Sequence, residues 1–466
     1  MPEQSKLDVV VIGAGIGGYV AAIRSAQLGK TAALIEKDRL GGTCLNWGCI
    51  PTKALLATAD FIYAAKRSEE LGVTLSDVTV DISRAMARKD AIVNRLTEGV
   101  RLLVKKNGII FIEGKGTLLS RSQVGVQKPD GARETIEAGS IVIAAGSEEP
   151  KLSFVEVDEE RILTSKGALT LTEVPKSFVV VGGGAVGIEF AMIFNALGAH
   201  VRLLESLPNL LHTLDADIGR TYQRVLKKKG VEVHLNTEVK AVKLRSDGKV
   251  GLKAVQRGSA LDMDAEKVLV SGRRSPLITD LGLEKIGVQV KDGFVPVDAH
   301  QKTSVPNIYA VGDVTGGKML AHVAMNQGVI AAENIAGLGS TFDPRTVPTC
   351  VYSQPEVASV GLSEDEAKEQ GHEVAVGKTP LLASGRALTL DETEGLAKVV
   401  CDAETGEILG VHLVAPHATE LIGEATLAMR MECTSEEIGA LLHAHPTISE
   451  ALMEAARAIS KKAIHM

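Results

Sequence analysis

The sequence predicts an α/β protein in which two Rossmann-like dinucleotide-binding domains precede a separate C-terminal α+β domain. Two stretches carry the first part: an apolar strand-like run leads into a glycine-rich turn and a helix at residues 13–18, and the same order recurs at 182–187. From residue 347 the pattern changes to short β segments followed by helices. We therefore expect a first dinucleotide-binding domain with a helical insertion at 1–148, a second at 149–276, a central domain at 277–346 and a C-terminal domain at 347–466.

The composition argues against several classes of protein. With 51 basic and 58 acidic residues, the net charge is −7 and no long basic cluster occurs, so we expect no nucleic-acid partner. The apolar runs are shorter than the ~20 residues that a membrane span needs, so we expect no membrane segment. Only residues 1–6 precede the first strand-like run, which leaves no room for a secretory signal. We therefore expect a cytoplasmic protein.

The first glycine-rich turn has the composition of a pyrophosphate site. Gly13 permits the turn, Gly15 lets the backbone approach a phosphate, and Gly18 lets the next helix pack on the strand. The following strand ends at Glu36, where an acceptor for a ribose hydroxyl is expected. The complete order of strand, turn, helix, strand and acid predicts a bound dinucleotide.

Two of the five cysteines, Cys44 and Cys49, follow at once and suggest a redox disulfide. In a straight helix, residues five apart have Cα atoms roughly 8 to 9 Å from each other, beyond the span of a disulfide, so the backbone between them must be distorted. Gly48 gives that backbone freedom, and Pro51 resists ordinary helix before it. The alternative is two free thiols in a core. The other cysteines have no metal-ligand spacing, so we predict inert thiols and no metal site: Cys350, Cys401 and Cys433.

The electron carrier at the first site must accept electrons from a dithiol. Nicotinamide does not do this readily, whereas a flavin passes electrons between thiolates and hydride carriers, so we assign FAD to the first site. Lys53 would then be a cation near the isoalloxazine ring. The alternative for Lys53 is a solvated helix lysine.

The second turn repeats the pattern with Gly182, Gly184, Gly187 and the acid Glu205. Glu205 can accept a 2′-hydroxyl and would repel a 2′-phosphate, so the sequence favours NAD over NADP. Arg202 lies three residues before Glu205, and an arginine can bind a 2′-phosphate, so NADP stays an alternative cofactor. Two such units predict an enzyme that relays electrons between two dinucleotides.

The remaining segments support fewer conclusions. Residues 54–107 are predicted to be mostly helical, and 108–116, 124–126 and 135–136 to form short antiparallel strands. Asp313 follows a strand and a glycine, where it can bind a sugar-like chain or cap the next helix.

His445 and Glu450 form a candidate general base. Glu450 can orient the imidazole and raise its basicity, and a dithiol substrate needs such a base because the thiolate, not the thiol, attacks a disulfide. The alternative interpretation is a structural histidine.

These stretches together resemble the flavin-dependent pyridine nucleotide–disulfide oxidoreductases over essentially the whole chain. Cys-Leu-Asn-Trp-Gly-Cys-Ile-Pro-Thr-Lys-Ala-Leu-Leu at 44–56 and His-Ala-His-Pro-Thr at 443–447 are similar to the branch that acts on dihydrolipoamide. The resemblance implies that Cys44 exchanges with substrate and that Cys49 forms the thiolate in contact with flavin. It also implies an ion pair between Lys53 and Glu189 near the flavin N5.

Further roles follow from the same resemblance. Asp313, Ala321 and His322 are expected along FAD. His445 and Glu450 are expected to reach the cysteines of the other subunit, which implies a homodimer. The resemblance thus implies that the central domain, 277–346, completes the FAD site and that 347–466 is the dimerisation or interface domain. The predicted cofactor-binding set also includes Gly42, Thr43, Gly116, Ala145, Gly146 and Gly272.

Two stretches depart from the family pattern. The segment Gly-Arg-Arg-Ser-Pro at 272–276 has a serine where proline usually follows the arginines directly, which affects the nicotinamide contacts expected at Gly272 and Arg273. Met-Asn-Gln-Gly at 325–328 stands where acidic residues are usual.

The resemblance predicts oxidation of dihydrolipoamide to lipoamide with reduction of NAD⁺. The expected partners are the lipoyl domains of 2-oxo-acid dehydrogenase or glycine-cleavage complexes. Two alternatives stay open: NAD(P)H-dependent reduction of another disulfide, and a non-catalytic flavoprotein subunit. Mercuric ion reduction is disfavoured because no cysteine follows Cys433.

Overall fold

The computed structural model describes residues 6–465. Its strands, in chain order, are β1 Leu7–Ile12, β2 Ala32–Glu36, β3 Ile110–Glu113, β4 Lys115–Ser120, β5 Gln123–Gln127, β6 Arg133–Ile143, β7 Ser147–Glu148, β8 Ile162–Leu163, β9 Ser177–Val181, β10 His200–Leu204, β11 Glu232–His234, β12 Thr237–Leu244, β13 Val250–Gln256, β14 Ser259–Ala265, β15 Lys267–Val270, β16 Ser275–Pro276, β17 Ile308–Ala310, β18 Thr349–Val351, β19 Glu356–Gly361, β20 Val374–Pro380, β21 Leu396–Asp402 and β22 Ile408–Ala415.

The α-helices, again in chain order, are α1 Ile16–Gln27, α2 Gly42–Asn46, α3 Cys49–Lys66, α4 Ile82–Lys106, α5 Ser165–Ala168, α6 Ala185–Ala196, α7 Ala216–Lys228, α8 Leu283–Ile286, α9 Ala321–Ile335, α10 Glu364–Glu369, α11 Gly385–Leu390, α12 Ala418–Arg430, α13 Ser435–Ala440 and α14 Glu450–Ile459.

The described chain divides into two compact units. Unit 1 contains the described residues up to Pro51, together with Ala87–Lys151 and Gly272–Asp343. Unit 2 contains Thr52–Met86, Leu152–Ser271 and the described residues from Pro344 onward. The chain passes from one unit to the other within α3 and within α4.

Unit 1 is built on a sheet of order β3-β2-β1-β6-β5-β4, with β17 added beside β6. Its central strand β1 pairs in parallel with β2 and β6, and Val9, Val10 and Val11 are fully buried. A parallel strand covered on both faces needs such a continuous run of β-branched residues. The sheet places the carboxyl ends of β1 and β2 at one edge, where the first glycine turn and Glu36 lie.

Unit 2 contains the second nucleotide sheet, of order β11-β10-β9-β15-β8, and an antiparallel ribbon β12-β13-β14. The buried helix α6 follows β9, as α1 follows β1 in unit 1. The unit also contains the C-terminal sheet β18-β19-β22-β21-β20, against which α12 and α14 pack through a common apolar cluster. The α/β class and the α+β character of the C-terminal segment are therefore confirmed.

The segment 54–107 is mostly helical, as predicted, with α3 ending at Lys66 and α4 starting at Ile82. Two local predictions were wrong. Strand β3, within 108–116, pairs in parallel with β2 and extends the nucleotide sheet instead of joining an antiparallel ribbon. Strand β20 was not predicted, although it pairs with β21 along its whole length. In both cases the outcome depends on a partner strand, which local periodicity does not reveal.

No helix among residues 6–465 has both the length and the apolar character that crossing a bilayer requires.

Candidate active site

The first glycine turn is closed by contacts that leave no room for side chains. Gly13 has φ of +102°, and a Cβ on it would overlap the carbonyl oxygen of Ala144. A Cβ on Gly18 would overlap the carbonyl oxygen of Gly13 itself, so α1 can start this close to the strand only with glycine there. The turn thus brings the amino end of α1 to the sheet edge, as a pyrophosphate site needs.

Glu36 is held beside this turn by two backbone donors. Its Oε2 accepts a hydrogen bond from Ala14 N at 2.7 Å, and its Oε1 accepts one from Asp38 N at 2.9 Å. The carboxylate therefore has a fixed direction at the end of β2. This is the position predicted for the ribose acceptor.

The second turn repeats these contacts in unit 2. Gly182 has φ of +112°, and a Cβ on Gly187 would overlap the carbonyl oxygen of Gly182. Glu205 is 6% exposed; its Oε2 accepts from Gly183 N at 2.7 Å and its Oε1 from Leu207 N at 2.8 Å. The duplicated motif in the sequence is thus a duplicated three-dimensional arrangement.

The amino end of α6 has space for a phosphate group. Apart from its chain neighbours, nothing lies within 4 Å of the Cβ position of Gly184, which caps this helix of 12 residues. Open space at the cap residue of a helix suits the approach of a pyrophosphate. Arg202 was the reason to consider NADP as an alternative cofactor. Its guanidinium donates to the carbonyl oxygen of Asp264.

The backbone between the two cysteines is distorted, as predicted. Helix α2 ends at Asn46, Trp47 leaves the helical conformation with φ of −134° and ψ of 0°, and α3 begins at Cys49. A Cβ on Gly48 would lie 3.2 Å from Thr43 O and 3.7 Å from Cys44 Cα, so the chain folds back on itself at Gly48. Both cysteines are half-buried.

Pro51 does not prevent helix before it, contrary to the prediction. It lies in the first turn of α3, where a backbone N–H would have no intrahelical acceptor in any case. The helix can therefore start at Cys49.

The cysteine stretch lies directly on the first glycine turn. Gly41 N donates to Ala14 O at 2.8 Å, and a Cβ on Gly42 would lie only 2.7 Å from Gly15 Cα. Backbone therefore meets backbone between the residues that precede Cys44 and the expected phosphate site. An FAD held at this turn fits the chain because the same short segment forms one wall of the turn and carries the thiols.

Lys53 is not a solvated helix lysine. Its Nζ lies 2.9 Å from Oε1 and 2.8 Å from Oε2 of Glu189, and that carboxylate is buried. Tyr352 N also donates to Glu189 Oε1, at 3.0 Å. The pair that the resemblance implied is therefore formed within unit 2.

Asp313 lies in the short 3₁₀ helix Gly312–Thr315, where it accepts a hydrogen bond from Ser147 Oγ. It does not cap the next helix, since the residue before α9 is Leu320. The guanidinium of Arg274 donates to Ser147 Oγ at 2.8 Å and to Ser147 O at 2.7 Å. Ser147 and Arg274 were not predicted as site residues; their positions beside Ala145-Gly146 and in the Gly-Arg-Arg turn were the available signals.

The segment 325–328, which departs from the family pattern, contacts the 3₁₀ helix that carries Asp313. Gln327 is buried, and its Oε1 accepts from Gly312 N at 2.7 Å while its Nε2 lies 3.4 Å from Thr315 Oγ1. An amide thus fixes both ends of the 3₁₀ helix that carries Asp313.

The remaining predicted cofactor residues lie at turns and element ends of unit 1. Gly146 has φ of +75° in the turn after β6, beside Ala145, and Ala321 begins α9. Thr43, His322 and Gly272 are exposed, whereas Gly116 is buried in β4 with its Cβ position 3.0 Å from Ile12 Cγ2.

His445 and Glu450 form the predicted pair. His445 Nδ1 lies 3.0 Å from Glu450 Oε1, and Glu450 Oε2 accepts from Thr447 N at 2.8 Å. The His445 side chain is 81% exposed, so it is not a core histidine. Burial acts to raise the pKa of Glu450, but the hydrogen bonds from Thr447 and His445 outweigh it and hold that pKa below its usual range.

A second pair supports the loop that carries His445. His443 is largely buried, with Nε2 2.9 Å from Glu424 Oε1 and Nδ1 3.2 Å from Leu441 O. Sequence reasoning did not identify this pair, because Glu424 lies on α12.

Two further cysteines are chemically quiet at neutral pH. Burial raises the pKa of Cys350 to about 11 and that of Cys401 to about 12, so both thiols stay protonated. Among residues 6–465, no group of three or more His, Cys, Asp or Glu side chains is arranged to hold a metal ion.

Residues 7–328 match the pyridine nucleotide-disulphide oxidoreductase family, and residues 347–456 match its dimerisation domain. The chain is 41% identical over 471 residues to dihydrolipoyl dehydrogenase of Bacillus subtilis, covering 99% of each chain. It is 44% identical over 462 residues to that of Thermus scotoductus, covering 98% of each, and 44% identical to leghemoglobin reductase of Vigna unguiculata, covering 98% of this chain and 88% of the relative. The structure of LpdA from Mycobacterium tuberculosis is similar with a TM-score of 0.90 and 27% identity, over 97% of this chain and 99% of that one. The chain therefore belongs to the pyridine nucleotide-disulphide oxidoreductase family.

Proposed function

We propose that this protein is a dihydrolipoyl dehydrogenase: it oxidises dihydrolipoamide to lipoamide and reduces NAD⁺ to NADH, with FAD between them. The observation that carries the proposal is the cysteine stretch lying against the first glycine turn, with Gly42 against Gly15. This arrangement would bring the Cys44–Cys49 pair beside a flavin bound at that turn. Full-length similarity to dihydrolipoyl dehydrogenases supports the choice of substrate.

The two glycine turns would hold the two cofactors. FAD would bind at Gly13, Gly15 and Gly18, with Glu36 accepting from its ribose. Further contacts to FAD would come from Gly42, Thr43, Lys53, Gly116, Ala145, Gly146, Asp313, Ala321 and His322, with Glu189 holding Lys53. Bound FAD accepts two electrons from a dithiol and passes them to NAD⁺ as hydride.

NAD would bind at the second turn, at Gly182, Gly184 and Gly187, with Gly272 near the nicotinamide. The buried carboxylate of Glu205 would accept from the adenosine ribose and repel a 2′-phosphate. Because Arg202 is engaged by Asp264 O, it does not offset this repulsion. We therefore infer a preference for NAD over NADP.

The dithiol step uses the cysteines and His445. His445 accepts a proton from one substrate thiol, and the resulting thiolate attacks Cys44 Sγ, breaking its bond to Cys49 and leaving Cys49 as a thiolate. The second substrate thiol then attacks the mixed disulfide, so that lipoamide leaves and Cys44 is released as a thiol. Two electrons have moved from the substrate to the cysteine pair.

The step needs two copies of the chain. His445 is exposed and belongs to the segment that matches the family's dimerisation domain. We infer a homodimer in which His445 and Glu450 of one protomer serve Cys44 and Cys49 of its partner. The substrate would arrive on a lipoyl domain of a 2-oxo-acid dehydrogenase or glycine-cleavage complex.

The test is steady-state NADH formation by the purified holoenzyme from dihydrolipoamide and NAD⁺. Cys49→Ser should abolish it while FAD stays bound, and near-normal activity in that variant would overturn the assignment. His445→Gln should slow turnover by about 100-fold or more, the usual contribution of a general base. Reduction of a flavin-reactive dye by NADH bypasses the dithiol, so it should be unchanged in His445→Gln; equal losses in both assays would remove His445 as the base.

Assays on the same purified holoenzyme distinguish the proposed function from the two alternative functions. A reductase of another disulfide would turn over glutathione disulfide with NADH or NADPH faster than dihydrolipoamide with NAD⁺. A non-catalytic flavoprotein subunit would form no NADH although FAD is bound.

A further inference from the structure

The ion pair between Lys53 and Glu189 has a third member in unit 2. Tyr352 immediately follows β18, and the Nζ of Lys53 lies 4.5 Å from the centroid of its ring. The backbone N–H of the same residue donates to Glu189 Oε1 at 3.0 Å. One residue of the C-terminal segment therefore contacts both the cation and the anion.

The two contacts act on different partners. The N–H of Tyr352 fixes the carboxylate of Glu189, and this contact does not depend on the identity of the side chain. The ring instead acts on Lys53, whose side chain is 31% exposed and flexible. An ammonium over an aromatic face is attracted by the ring quadrupole, more strongly where water is partly excluded.

We propose that Tyr352 is a positioning residue for Lys53, holding its ammonium against the aromatic face so that the cation keeps one direction beside Glu189. The inference rests on the proposed function, in which Lys53 is the cation near the flavin. A fixed cation there stabilises negative charge that develops on the ring system during reduction. The C-terminal segment would thereby tune the electron acceptor as well as supply His445.

The surroundings favour the ring over other candidates for this role. Cys350, two residues before Tyr352, is close enough for Lys53 to influence its pKa, but burial keeps the thiol protonated at neutral pH. A neutral thiol cannot replace the ring as a partner for a cation. The Tyr352 residue is 39% exposed, so its replacement leaves no sealed cavity in the core.

The test compares three holoenzyme variants with the wild type. Tyr352→Leu removes the aromatic face and keeps the backbone donor, Tyr352→Phe keeps the face and removes the hydroxyl, and Lys53→Met removes the cation. The measurements are the midpoint potential of bound FAD and the stopped-flow rate of its reduction by dihydrolipoamide, with thermal unfolding as a check on the fold.

Tyr352→Leu should shift the potential in the negative direction, as Lys53→Met does but less, and should slow flavin reduction roughly 3- to 10-fold, the size expected for loss of a partly desolvated cation–π contact. Tyr352→Phe should match the wild type. If Tyr352→Leu matches the wild type while Lys53→Met does not, the inference is wrong and the proposed function stands. Equal shifts in Tyr352→Leu and Tyr352→Phe would assign the effect to the hydroxyl and also overturn it. A wild-type potential in Lys53→Met would remove Lys53 from the flavin site, and the inference with it.

Discussion

The two nucleotide units use the same local chemistry but differ in what covers the glycine turn. In both, the first glycine has positive φ, the last lies against the carbonyl oxygen of the first, and an acid accepts from an N–H inside the turn. In both, the segment after the acid also donates to the turn, from Gly41 N to Ala14 O at 2.8 Å and from Leu211 N to Gly183 O at 3.0 Å. Beyond that bond the contacts differ: a Cβ on Gly42 would lie 2.7 Å from Gly15 Cα, whereas the side chain of Leu210 lies 2.6 Å from the Cβ position of Gly183. The first turn is therefore packed against glycine backbone and the second against an apolar side chain.

The largest effect on cofactor binding is expected when the last glycine of each turn is replaced by alanine. Gly18→Ala places a Cβ into Gly13 O, and Gly187→Ala places one into Gly182 O, so each should prevent binding at its own turn. Gly18→Ala should be purified without flavin and show no turnover. Gly187→Ala should keep its flavin and still be reduced by dihydrolipoamide, yet form no NADH. Flavin content and anaerobic flavin reduction separate the two, and loss of flavin from both variants would break the comparison.

The two units also differ in how deeply their ion pairs are buried. In unit 2 the Nζ of buried Lys398 lies 2.7 Å from Asp215 Oδ2, 2.9 Å from Asp217 Oδ2 and 2.9 Å from Glu364 Oε2. Lys398→Met should lower the free energy of unfolding by about 3–5 kcal/mol, because it leaves the buried carboxylate of Asp215 without its ion-pair partner. In unit 1 the partly exposed pair of Arg24 and Glu333 should contribute at most about 1 kcal/mol, so Arg24→Met is the matched control.

Denaturant unfolding of both variants at neutral pH gives these values. Equal losses would mean that the Lys398 cluster stabilises unit 2 no more than a surface pair does.

Glu205 and its counterpart Glu36 allow cofactor binding at the two nucleotide sites to be compared. Glu205→Gln keeps the side-chain shape but removes the charge that accepts from Gly183 N, so the KM for NAD⁺ should rise about 10-fold, as expected for loss of a charge-assisted hydrogen bond. The flavin content should not change. Glu36→Gln is the matched variant, and it should weaken FAD retention while leaving the KM for NAD⁺ unchanged. An increased KM for NAD⁺ in Glu36→Gln would show that the two sites are not independent.

The smallest effect concerns acid stability. Hydrogen bonds from Lys368 and Lys398 lower the pKa of Glu364 to about 2 from its ordinary 4.5. Since the folded-state pKa lies below the unfolded one, the contribution is complete above about pH 4.5 and is lost as the pH falls towards 2. Glu364→Gln should remove about 1 kcal/mol of this dependence, allowing for partial solvent screening. Denaturant midpoints between pH 3 and 5 measure it, and parallel curves for the variant and the wild type would exclude the effect.

The sequence was most informative where function depends on local geometry. Both glycine turns, both acids and the distortion at Gly48 follow from residues close together in the chain, and each is found where it was predicted. The pairing of Lys53 with Glu189 was implied only by resemblance, because 136 residues separate them. Ser147 and Arg274 around Asp313, and Lys398 with its carboxylates, were missed for the same reason. Parallel pairing of β3 was missed because pairing direction is a property of topology and not of the strand's own residues.

The central claim is that Cys44 and Cys49 change between disulfide and dithiol beside the first nucleotide site. Anaerobic titration of the holoenzyme with dihydrolipoamide tests it most directly, by following absorbance at wavelengths beyond the flavin bands. We expect a long-wavelength thiolate-to-flavin band after two electrons per subunit in the wild type. The same band should be present without titration in Cys44→Ser, whose Cys49 thiolate remains, and absent from Cys49→Ser. A band that persists in Cys49→Ser, or wild-type flavin that reacts without any such band, would contradict the claim.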